Sequence, residues 1–168
     1  MASLLLPIIY LAFISLGLPD ALLGAAWPTM YPQLGAQVSW AGGVSMIISA
    51  CTILSALASD HLNERLGTGR VTAISVATTA AALLGFSFCH AFWQLCLWAI
   101  PYGLGAGSVD AALNNYVALH YKSRHMSWLH CMWGIGTMVS PMVMGAALTH
   151  GMHWTVGYRA IALFQVLL

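Results

Sequence analysis

The chain has 168 residues, of which 60% are hydrophobic and 5% charged, with a formal net charge of +1 and a mean hydropathy of +0.82. Five cations and four anions cannot cover a water-exposed surface, which excludes a soluble globular domain. The near-neutral balance gives no basis for a nucleic-acid partner. Cys51, Cys89, Cys96 and Cys131 lack metal-site spacing, so neither a metal nor another cofactor is expected.

A bilayer core takes roughly 20 apolar residues per helix, and the sequence divides at that scale. Span one is predicted over Leu4 to Met30; the start Met1-Ala2-Ser3-Leu4 has no positive n-region, so a cleaved leader is not expected. Span two runs from Trp40 to Ser59, and a loop with Asp60, Glu64, Arg65 and Arg70 follows it. Span three covers Val71 to Phe88, and span four covers Phe92 to Leu119. After the basic turn at Lys122 and Arg124, span five covers Met126 to Leu148. A sixth begins near Val156 and has little more than half the required length at Leu168. The expectation is an all-α, polytopic membrane bundle of five full spans and a partial sixth.

Lys and Arg gather in the connections after spans two and four, whereas Tyr31 to Ser39 and the turn around His90 have none. The positive-inside rule therefore places the N-terminus in the cytoplasm, with Arg159 a minor departure. Trp27, Trp40, Trp93, Trp128 and Trp154 fall near span ends, where amphipathic rings favour the interface.

Gly17-Leu18-Pro19-Asp20-Ala21 in span one and Gly107-Ser108-Val109-Asp110-Ala111 in span four both read Gly-x-x-Asp-Ala. The two stand three helices apart, so span four opens a second triplet of reversed orientation. Such 3+3 inverted repeats are a construction rule of secondary transporters, whose solute and ion sites lie near the midplane.

Asp20 and Asp110 are carboxylates inside spans, where an ionised acid costs at least ~2.5 kcal/mol on insertion scales, so each is a candidate for proton coupling or solute binding. The competing reading has each acid capping a broken helix or bonding a neighbouring one, with Pro19 beside Asp20 as the reason to consider it. Asn114 lies one turn beyond Asp110 on the same face, a carboxylate and amide pair suited to a hydroxylated ligand or a proton; interhelical bonding is its alternative. Asn115 points about 100° away and reads as glue between helices. His130, among Trp128 and Trp133 at the start of span five, is a candidate proton relay or solute contact, or a histidine bonded to a nearby carbonyl. Gly103, Gly107 and Ala111 in span four, and Ser45, Ser49, Thr52, Ala56 and Ser59 in span two, form stripes of small residues that read as close packing.

These features together resemble the major facilitator superfamily, specifically its fucose:proton symporter-like branch. The residues that carry the resemblance are Asp60 to Arg70, Pro19-Asp20, Gly105 to Asn115, and His130 to Gly136, spread over the whole chain. The family's loop motif has Gly, then Asp followed by Arg; here Ala56 stands for the glycine and His61 for the arginine. The resemblance implies that Asp60, Arg65 and Arg70 form a conformational latch on the cytoplasmic side. It also implies that acids in spans one and four couple protons and bind sugar. Ser140-Pro141 is a partial form of the superfamily's glycine-proline hinge. Members have twelve spans, so residues 1–168 read as an N-terminal six-helix half truncated in its sixth helix, paired with a second half or a copy of itself.

The function expected is proton-coupled transport of a small solute, a sugar, across the cell membrane, with a non-functional truncated fragment as the alternative. A further alternative is an intramembrane aspartyl protease. Its Gly-x-Gly-Asp and Tyr-Asp motifs are absent, since Asp110 follows Ser-Val and Asp20 follows Leu-Pro.

Overall fold

The computed structural model describes residues 2–168, with side chains from residue 5; Met1, within the start read for a leader, lies outside them. Seven helices follow one another among the described residues: α1 (Ala2–Asp20), α2 (Leu22–Gln33), α3 (Trp40–Leu66), α4 (Thr68–Ser87), α5 (Phe92–His120), α6 (Ser123–Thr149) and α7 (Trp154–Leu167). The predicted span one is thus two helices that meet at Ala21.

Pro19 explains both the break and a contact that rescues it. Having no N–H, Pro19 cannot bond the carbonyl four residues back, which is that of Ser15. Gln165 on α7 supplies the missing donor: its Nε2 donates to the Ser15 carbonyl at 2.8 Å, while Thr79 Oγ1 on α4 donates to Gln165 Oε1 at 3.3 Å. A buried amide in an apolar helix is therefore spent on a backbone group that sequence chemistry had orphaned. Gln165→Leu is expected to cost roughly 1–3 kcal/mol in thermal unfolding of the detergent-solubilised protein. Adding Pro19→Ala, which restores the intrahelical donor, should recover most of that loss; no recovery would refute this account of Gln165.

One connection differs in kind from the sequence reading. The charged stretch Asp60 to Arg70, expected as a loop, is helical apart from Gly67, whose φ of 80° turns α3 into α4. Glycine adopts that left-handed backbone without the Cβ clash other residues meet. Four stretches are long and apolar enough to cross a membrane by length and composition: Leu5–Gln33, Trp40–Leu66, Thr68–Ser87 and Ser123–Thr149. The 29-residue α5 has the length, but Gln94, Asp110, Asn114 and Asn115 make it more polar. Its place as a full span rests on length and on its packing between α3 and α4. The 14-residue α7 is the partial sixth.

The most extensive helix contacts are α3 on α5, α4 on α5, α1 on α6, and α4 on α7. Exchanging the triplet α1/α2, α3, α4 with the triplet α5, α6, α7 turns the α1–α6 contact into α5–α3 and returns α4–α7 to itself. The partner of α4–α5 is α7 on α1/α2, where contact is slighter because α7 is short. Glycines repeat the pattern: a side chain at Gly17 would collide with the Trp133 carbonyl of α6, and one at Gly107 with the Thr52 carbonyl of α3. The two Gly-x-x-Asp-Ala segments therefore seat their helices on equivalent partners.

The small-residue stripe of α3 divides in two. Thr52 Oγ1 donates to the Gly103 carbonyl at 3.2 Å, Ser55 bonds the Leu104 carbonyl and the Ser108 hydroxyl, and Ser59 Oγ donates to the Ser108 carbonyl at 3.4 Å. Ser45 and Ser49 stay exposed. At one end of the bundle Tyr10 of α1 meets His125 of α6, oxygen to Nδ1 2.7 Å. At the other, Gln33 Oε1 accepts from Trp154 Nε1 at 2.8 Å and lies 2.7 Å from His153 Nε2. The core follows this polarity, with one cluster around Trp27, Phe86, Leu95, Tyr102, Met144 and Tyr158 and another around Phe13, Val109, Val117 and Leu129.

Candidate functional site

Because α1 stops at Asp20, the aspartate leaves the helix where α5 and α6 converge. Tyr102 of α5 donates its hydroxyl to Oδ1 at 2.8 Å, and Trp133 of α6 donates its indole N–H to Oδ2 at 2.9 Å. One carboxylate thereby joins three helices, each oxygen held by a donor. Asp20 nonetheless remains exposed on the cavity side.

Asp110 is half-buried and held more loosely. Its Oδ1 accepts from Asn114 Nδ2 at 3.0 Å, and the same amide bonds the Asp110 backbone carbonyl at 3.0 Å. These bonds stay within α5, and Asn114 makes no interhelical hydrogen bond among the described residues. Asn114 Oδ1 is buried and unpartnered, leaving an acceptor beside the acid. Asn115 is exposed and makes no interhelical bond among the described residues, contrary to its reading as glue.

Asp20, Asp110, His130, Trp133 and Thr52 line one cavity of about 300 Å³. His130 is exposed on α6, its ring edge-on to Phe13 at 6.3 Å between centroids. A neighbouring cavity of about 750 Å³ shares Asp20 and Ile48 with it. Of the four site residues named from the sequence, Asp20, Asp110 and His130 line the first cavity, and Asn114 stands behind Asp110, bonded to it. No cluster of His, Cys, Asp and Glu able to hold a metal occurs among the described residues.

Asp60, Arg65 and Arg70 stand apart from this group. All three are exposed, at the end of α3 and the start of α4, and no ion pair links them among the described residues. The sequence reading did not single out Tyr102, and it quoted Trp133 only as a neighbour of His130. A buried tyrosine hydroxyl in an apolar helix needs an acceptor, which flags Tyr102; which acid it meets depends on the packing of α1 against α5.

An inverted repeat whose two aspartates face one cavity is the arrangement of a solute carrier, and the family comparison decides which kind. The family model described as Major Facilitator Superfamily matches residues 9–168. The chain belongs to that superfamily. No curated protein matches it. Members are membrane transporters rather than enzymes, which sets aside the protease reading of the two aspartates. Membership also accounts for the helical bundle: a transporter of this superfamily works in the bilayer on small-molecule solutes.

Proposed function

We propose that the chain is the N-terminal six-helix half of a proton-coupled symporter for a small neutral solute, of the fucose:proton type, with a sugar as its cargo. The observation that carries this reading is that Asp20 and Asp110, from equivalent positions of the two repeats, border one cavity together with His130. Asp110, held only by the Asn114 amide of its own helix, is the acid that takes up and releases the proton. Asn114 and Thr52 offer hydrogen bonds to solute hydroxyls, and His130 relays the proton or contacts the solute.

Alternating access needs a second bundle to rock against the first. The cavity opens at the bundle's face, so a second half or another copy of the chain closes the path. Asp60, Arg65 and Arg70 then act as a latch towards that second half, on the cytoplasmic side of the cell membrane where the N-terminus also lies. The charge asymmetry of the connections supports this orientation.

The test is uptake of a panel of radiolabelled hexoses into proteoliposomes containing the chain, with and without an inward proton gradient. Uptake of at least one hexose that accelerates with the gradient is expected. Uptake indifferent to the gradient removes the proton-coupled reading; no uptake of any member removes the reading that copies of the chain complete the path and leaves a half that needs a separate partner half.

A further inference from the structure

The wider cavity beside Asp20 has a chemistry the carboxylate site lacks. One wall is a run of rings: Phe86 lies 6.0 Å from Tyr102 and 5.7 Å from Tyr158 between centroids. The Tyr158 hydroxyl is buried without a hydrogen-bond partner, although a phenol in an apolar interior normally finds one. Leu83, Ile48 and Pro141 continue the apolar surface, and Ser49 on α3 borders its open side. Asp20 is the one ionisable acid or base in the wall apart from the two tyrosines. An anionic group would therefore sit beside a carboxylate with no countercharge.

We infer that this cavity is a second subsite, which takes an uncharged apolar ring attached to the solute and offers the Tyr158 hydroxyl to a hydrogen-bond acceptor on that ring. The inference rests on the sugar reading of the carboxylate site and narrows it: the preferred cargo is a glycoside with a ring-bearing aglycone. The sugar occupies the smaller cavity at Asp110, and the aglycone passes Asp20 into the larger one. Sharing of Asp20 and Ile48 by the two cavities makes one ligand able to reach both.

Equilibrium binding to the chain in nanodiscs tests this with three probes that carry the same hexose: its methyl, phenyl and p-nitrophenyl glycosides. Burial of the ring is expected to make the phenyl glycoside bind at least about tenfold tighter than the methyl glycoside. Ser49→Trp, which fills the cavity from its exposed side, should bring that ratio within about threefold. Tyr158→Phe should remove any advantage of the p-nitrophenyl over the phenyl compound while keeping the ring wall. Equal binding of methyl and phenyl glycosides to the unsubstituted chain overturns the subsite and leaves the sugar reading standing. Binding of none of the three overturns both, and a ratio that survives Ser49→Trp places the ring elsewhere and overturns the subsite.

Discussion

Asp110→Asn is expected to abolish gradient-driven accumulation, lowering the proton-dependent rate on the order of 100-fold or more, while the protein remains folded. Asparagine keeps the shape of aspartate and an oxygen for the Asn114 amide, which donates at 3.0 Å, but it cannot take up a proton. Loss of coupling is thus separated from loss of structure. Exchange of labelled for unlabelled solute at equal pH should persist in this variant, because exchange needs solute binding without net proton movement. A variant that still accumulates solute down a proton gradient would show that Asp110 is not the coupling acid. The same change at Asp20 is of a different kind. There both oxygens accept, from Tyr102 and Trp133, and an amide would set its own N–H against one of those donors.

The second large effect falls on packing. Gly17→Val and Gly107→Val are each expected to destabilise the chain by about 3 kcal/mol or more, because the new side chain meets backbone rather than a movable side chain. At Gly17 the obstacle is the Trp133 carbonyl, with the Thr137 nitrogen 3.2 Å from the new Cβ; at Gly107 it is Thr52, whose Cα lies 2.9 Å away. Gly134→Ala, where nothing stands within 4 Å, is the control and should be neutral or stabilising. Thermal unfolding in detergent reads all three. Equal melting temperatures would mean that the repeat is seated by something other than these glycines.

Much of this fold was legible because membranes leave few options. Backbone groups in hydrocarbon must bond internally, so apolar length located the spans, though not the break within the first, and Gly-x-x-Asp-Ala exposed the repeat. What the sequence hid were events at helix ends. Pro19 was visible, but its consequence, a carbonyl handed to Gln165 from the far end of the chain, requires α7 to lie against α1. The stretch Asp60 to Arg70 looked like a loop because it is charged, yet charge at a membrane edge is compatible with helix, and only Gly67 turns the chain. At the site, burial cost identified Asp20 and Asp110. Their different settings, one carboxylate doubly held and one with a donor from its own helix, came from the convergence of α1, α5 and α6.

Proton movement driven by the solute itself tests the central claim most directly. Proteoliposomes containing the chain are suspended in weakly buffered medium at equal pH inside and out, a preferred solute is added, and external pH is followed. The account predicts a transient alkalinisation, because each solute entering carries a proton inward, and predicts its absence in Asp110→Asn. Solute entry with no change in external pH would contradict it.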